Sequence, residues 1–136
     1  MKIQEVLNMK KRISVTAVLL ALLLLAGCSG TSVGSYASKY ANFEDYDAAV
    51  QEVQLYLNGF SGLEMPKIGY AGDDAVKAEA DSRGLAPGQV MILTSTITAD
   101  DSYDGTDFEP GNTYEDYRWI LTRNSSVELW EIADQG

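Results

Sequence analysis

The first pattern along the chain is a block rather than a periodicity. Ile13 to Leu25 is thirteen residues without a charge, and Lys10, Lys11 and Arg12 stand directly before it. A basic start, an apolar core of about 7–15 residues and a small-residue exit make up a secretory signal. A spanning helix would want about 20 apolar residues, and a helix buried in a globular domain would show a polar face. Met9-Lys10-Lys11-Arg12 is a more usual opening for such a segment than Met1-Lys2-Ile3-Gln4-Glu5, which marks Met9 as an alternative start.

Helical spacing begins after Asn42. Tyr46, Ala49, Val50, Val53, Leu57 and Phe60 recur on one stripe, with Glu44, Asp47, Gln51, Glu52 and Gln54 between them. Asn42 or Asp45 can cap this helix and Asn58-Gly59 stops it. "GLEMPKIGYAGDD" reads as a strand that Pro66 confines to an edge or a bulge, since proline brings no ladder donor. "DDAVKAEADSRGL" reads as a second, shorter helix, capped by Asp73 or Asp74 and closed by Gly84. Three strands follow: "QVMILTSTITA", "TYEDYRWILTR" and "SVELWEIAD". The second places Tyr117, Trp119 and Leu121 on one face and Arg118, Ile120 and Thr122 on the other. In the third, Trp130 and Ile132 share a face, and an Asn124-Ser125 turn joins the last two as a hairpin. The order predicts an α+β domain: two helices gathered on one face of a bent antiparallel sheet of about four strands, in the order helix, strand, helix, three-strand meander.

The exit of the apolar run is Leu25-Ala26-Gly27-Cys28, and Cys28 is the one cysteine of the chain. This tetrapeptide resembles the lipobox of bacterial lipoproteins. The resemblance implies that the thiol of Cys28 receives a diacylglyceryl group and that cleavage falls between Gly27 and Cys28. Two fatty chains hold where one is marginal, at about 0.8 kcal/mol per buried CH₂. The organisation expected is then a lipoprotein signal over residues 1–27, a lipidated cysteine and flexible tether over 28–41, and a globular domain over 42–136. The thirteen residues from Ser29 to Ala41 would reach roughly 20 Å as a flexible chain. The expected location is the extracytoplasmic face of a bacterial cell membrane.

Charge narrows the partners. The chain carries 10 basic and 20 acidic residues, and from Cys28 onward six basic residues face nineteen acids, about −13 in net charge. Such a surface repels phosphate backbones, so nucleic acid is not an expected partner. The expected contacts are the membrane, through the lipid on Cys28, and an unidentified envelope protein or small ligand.

"FSGLEMPKIGY", "VMILTSTI" and "NTYEDYRWILTRNSSVELWEIADQG" together resemble a group of small exported lipoproteins of Firmicutes type, whose C-terminal half ends in a Trp-bearing hairpin. The wider resemblance is to the cystatin-like or NTF2-like fold. It implies, over roughly residues 42–136, a bent antiparallel sheet wrapped on helices. The family pattern often carries a cysteine where this chain has Leu63, so no thiol chemistry is implied there.

Candidate chemistry is sparse. The absence of histidine removes His-based triads, His metal sites and the commonest base near neutral pH. Gly69 and Gly72 do not complete a phosphate loop. In "ADDSYDGTDFEPGN", Asp100, Ser102, Asp104 and Gly105 match positions 1, 3, 5 and 6 of a calcium loop. Gly111 stands where that loop has its bidentate Glu, leaving Asp107 or Glu109 to substitute. The alternative is a hairpin loop whose Asp, Gly and Pro residues make turns. Glu115, Asp116, Tyr117 and Arg118 lie in one strand, where Asp116 and Tyr117 point to opposite faces, and Asp116 and Arg118 share a face on which a surface cross-strand pairing is the expected use of both. Trp119 and Trp130 could stack sugars, but in a small sheet their burial is the expected use. These residues predict a lipid-anchored, non-catalytic binding or accessory module. The alternatives are a small NTF2-like enzyme with an apolar substrate pocket and a weak calcium-binding envelope domain.

Overall fold

The computed structural model describes residues 30–136. In chain order they form β1 (Ser32–Val33), α1 (Phe43–Asn58), β2 (Leu63–Tyr70), α2 (Asp73–Arg83), a 3₁₀ turn (Pro87–Gln89), β3 (Val90–Ala99), β4 (Thr113–Thr122) and β5 (Glu131–Gln135). The strands make one sheet in the order β1-β2-β3-β4-β5. The fold is α+β, as the pattern predicts, but with five strands rather than about four, and mixed because β1 runs parallel to β2. Among the described residues, no helix is long and apolar enough to cross a membrane.

Local chemistry sets the helix ends. Asn42 Oδ1 accepts from the Asp45 amide at 2.8 Å, and Asp45 Oδ2 accepts from the Asn42 amide at 3.1 Å. The two expected alternatives thus act together as a reciprocal cap. For α2 the capping position is Gly72, which has no side chain to offer; Asp73 and Asp74 lie in the first turn, where their charge suits the helix dipole. Gly84 closes α2 in the left-handed region at φ 68°.

The helices lie on opposite faces of the sheet, not together on one. Alternation along β3 separates them. Met91, Leu93 and Ile97 pack with Val50, Val53 and Leu57 of α1 and with Trp119 and Leu121 of β4. Val90 and Ile92 pack with Val76 and Ala80 of α2 and with Ile120. Each fully buried aliphatic side chain of this kind contributes about 1.5–3 kcal/mol. The α2 stripe is short, so α2 covers only part of its face.

Pro66 falls in the register shift between Glu64 and Lys67, the bulge that its missing donor predicts. The β4–β5 connection is longer than the expected Asn124-Ser125 turn. β5 begins only at Glu131, and residues 123–130 form a loop with Val127 and Leu129 exposed and Trp130 buried. Trp130 and Ile132 still join the same cluster.

The stretch expected to be a flexible tether is largely part of the domain. Ser32 and Val33 pair with Lys67 and Ile68, and the Gly34 amide donates to the Ile68 carbonyl at 2.8 Å. The Tyr36 ring stacks on Tyr46 with centroids 4.5 Å apart and planes 5° from parallel. Tyr36 Oη donates to the Ala41 carbonyl, and Tyr46 Oη to that of Gly34. The half-buried Tyr36 ring stacked on buried Tyr46, with the pairing of β1 to β2, outweighs the small-residue composition that suggested a free chain.

Candidate functional site

Arg123, which follows the last residue of β4, is a buried charged residue with several partners. Its side chain is 4% exposed. Nη1 lies 2.6 Å from Asp45 Oδ1, and Nε donates to the Gly88 carbonyl at 3.1 Å. The guanidinium carbon sits 4.1 Å above the Trp130 ring, and Trp130 Nε1 donates to the Asp45 carbonyl at 2.9 Å. Gln89 Nε2 donates to the carbonyls of Arg123 and Asn124. The hydrogen bond from Arg123 holds the Asp45 carboxyl below its ordinary range, against the opposing effect of burial. These contacts tie the start of α1, the 3₁₀ turn and the β4–β5 connection into one cluster.

Above this cluster opens a cleft of about 540 Å³, lined by Lys39, Tyr40, Asn42, Gln89, Arg123 and Ser126 among others. Its lining mixes hydrogen-bonding groups with apolar surface. The Arg123 charge is balanced by Asp45, and Lys39 Nζ lies 5.3 Å from the Tyr40 ring centre. Ser38 Oγ, at the rim, donates to Asp73 Oδ1 at 2.5 Å, which leaves it hydrogen-bonded to a carboxylate rather than to a base.

A second, smaller depression of about 220 Å³ lies on the part of the α2 face that α2 leaves uncovered, lined by Lys67, Tyr70, Thr94, Thr96 and Asp116. Asp116 adopts φ 53°, a left-handed conformation, at the register shift opposite Ser95 and Ile97. The extra residue makes a β-bulge. Arg118, expected to pair across the strands, has its ion pair instead with Glu79 of α2, at 3.8 Å. Tyr70 Oη donates to Asp73 Oδ1 at 2.6 Å, and burial followed by that bond raises its pKa. A phenol held protonated in this way anchors a carboxylate.

The face of the sheet under α1 is filled. Trp119 is fully buried, its Nε1 donates to Ser95 Oγ at 2.8 Å, and Tyr117 packs edge-on against it with centroids 5.3 Å apart. Burial and then the charge of Asp107 push the Tyr117 phenol up to about 12. Trp119 and Trp130 are both core residues, which is the expected use.

The acidic loop distributes its oxygens among separate donors. Asp100 Oδ1 accepts from Ser102 Oγ at 2.5 Å and from the Ser102 amide at 2.8 Å, which lowers its pKa. Asp104 accepts from the Ser61 amide, Asp107 from Tyr56 Oη and Glu109 from Asn112. Tyr103 and Phe108 bury their rings beneath the loop. Among the described residues, no group of three or more His, Cys, Asp or Glu side chains is placed to hold a metal ion. Gly27 and Cys28 lie outside the described residues.

Sequence reasoning overlooked the Arg123 cluster. The signal open to it was "TRNSSVELW", an arginine ending a strand a short loop before a tryptophan, but partners 78 and 85 residues away cannot be read from spacing. No family model matches the chain, and no curated protein or solved structure matches it significantly. The class that the architecture defines is a small α+β domain with a cleft beside Arg123 at one end of its sheet.

Proposed function

We propose that this protein is a lipid-anchored extracytoplasmic binding or accessory module without catalytic activity, held at the membrane through Cys28. The observation that carries this reading is the sequence Leu25-Ala26-Gly27-Cys28 at the exit of a basic-then-apolar leader, with a folded acidic domain beginning a few residues later. Its binding surface is the Arg123 cleft, where hydrogen-bonding groups are held rigidly without a nucleophile and base aimed at each other. The NTF2-like enzyme reading needs an open cavity under α1, where Trp119, Tyr117 and Leu121 are packed.

The test is metabolic labelling with an alkynyl fatty acid in a bacterial host, followed by fractionation. Wild type takes up label and sediments with membranes; Cys28→Ala takes up none and appears in soluble fractions. Equal labelling of the two forms would overturn the anchor.

A further inference from the structure

We infer that the domain rests with the β1 edge of its sheet directly against the bilayer, rather than hanging free on a leash. This rests on the lipid-anchored reading of Cys28. The partner is the lipid surface, and the argument is one of length. Ser32 is fixed in register opposite Lys67, so only residues 29–31 separate the acylated position from the sheet. Four Cα steps span at most about 14 Å when fully extended. A globular domain of this size has a radius of gyration of roughly 13 Å and is therefore wider than that span. The β1 edge therefore stays within about 14 Å of the acylated residue, closer than the domain is wide.

Peeling β1 away to lengthen the leash is opposed by specific contacts. The Gly34 amide bond to Ile68, the Tyr36–Tyr46 stack and the Tyr46 bond to the Gly34 carbonyl would all have to be given up. The exposed side chains of this edge suit an interface with lipid: Val33 is 48% exposed, and Lys67 opposite Ser32 is one of the domain's six cations. Glu64 lies on β2 with Lys67 and opposes that cation, so the short leash rather than charge sets the contact.

The consequence is directional. Four strand spacings of about 4.8 Å separate β1 from β5, roughly 19 Å across the sheet. The β4–β5 connection, with Val127 at 91% and Leu129 at 81% exposure, belongs to the far side. The membrane-distal side thus carries the exposed apolar loop.

The experiment uses the full lipidated chain reconstituted in phosphatidylcholine–phosphatidylglycerol vesicles. Acylation blocks Cys28, so Val33→Cys and Val127→Cys each supply a unique thiol for an environment-sensitive fluorophore. Quenching by headgroup-borne spin labels is expected to be severalfold stronger at position 33 than at 127. Inserting about twelve Gly/Ser residues before Thr31 adds roughly 20 Å of flexible reach and should remove the difference. Equal quenching at the two positions without the insert, or stronger quenching at 127, overturns the orientation. Failure of the wild-type chain to float with vesicles overturns the anchor itself, a separate readout from the quenching ratio.

Discussion

Arg123 Nη1 and Asp45 Oδ1 meet at 2.6 Å across 78 residues of chain. Trp130 closes the arrangement from both sides, with its ring under the guanidinium and its indole N–H on the Asp45 carbonyl. Arg123 also directly follows β4 and supports the 3₁₀ turn through Gly88. One charged side chain therefore fixes the relative positions of a helix start and two connections that line the cleft.

Replacing Arg123 should be costly whether or not the charge is kept. Arg123→Met strips Asp45, Gly88 and Ser126 of their donor, and a loss of about 2–4 kcal/mol is expected for removing one partner of a largely buried pair. Arg123→Lys should lose nearly as much, because an ammonium cannot fork to several acceptors while lying flat on an indole. Urea denaturation of both variants checks this. A lysine variant of wild-type stability would show that charge alone suffices.

Acid should unfold the domain earlier than its surface charge alone would predict. The carboxyls of Asp45, Asp73 and Asp100 all have pKa values lowered from 3.8 by hydrogen bonds: Asp45 from Arg123, Asp73 from Ser38 and Tyr70, and Asp100 from Ser102. A carboxyl depressed in the folded state binds fewer protons there than in the unfolded chain. Its contribution is fully present above the ordinary carboxylate value and is lost as pH falls through the folded one. Melting temperatures measured from pH 6 down should fall chiefly below about pH 4. Asp45→Asn should flatten part of that fall.

At high pH the sign reverses. Tyr117 is pushed from 10 up to about 12, so the folded state keeps the phenol neutral where the unfolded chain has released its proton. That stability is intact below pH 10 and is lost as pH rises towards 12. Tyrosinate absorbance during alkaline titration should show a late phase coinciding with unfolding, and Tyr117→Phe should shrink that phase, leaving the share of Tyr70 and the other tyrosines whose phenols are raised.

Ser95 is buried in the core opposite Tyr117, and its hydroxyl accepts from the Trp119 indole. Ser95→Ala leaves a buried N–H unpaired, with an expected loss of about 1–3 kcal/mol. Tryptophan emission should shift if water enters to pair it. No change in stability or emission would mean that the indole finds another acceptor.

The elements whose partners lie in their own periodicity were legible in the sequence. The α1 stripe from Tyr46 to Leu57 and the alternation along β4 both appear where the pattern places them. Contacts set by distant pairing were not. β1 is two residues long and its ladder partner is 35 positions away, so no local alternation marks it. The helices divide between faces because Val76 and Ala80 meet Val90 and Ile92, a choice that two small apolar residues do not announce. Arg123 was passed over because arginine is ordinarily exposed, and only tertiary context buries it.

Gly62 joins α1 to β2 under the acidic loop at φ 77°, a left-handed conformation that side chains disfavour. A Cβ there would fall on the Asp100 carboxylate and the Tyr103 amide, with Ser102 Oγ at 2.7 Å. The Gly62 carbonyl also accepts from the Asp100 amide, so the turn and the loop hold each other. Gly84 offers a control: its φ is 68°, and an added Cβ would meet nothing within 4 Å. Gly84→Ala should cost about 1 kcal/mol for backbone conformation alone. Gly62→Ala should cost at least twice as much, because the loop must also move off its packed Tyr103. Equal losses in the two variants, measured by thermal denaturation, would show that residues 100–103 yield freely and that the loop does not brace the start of β2.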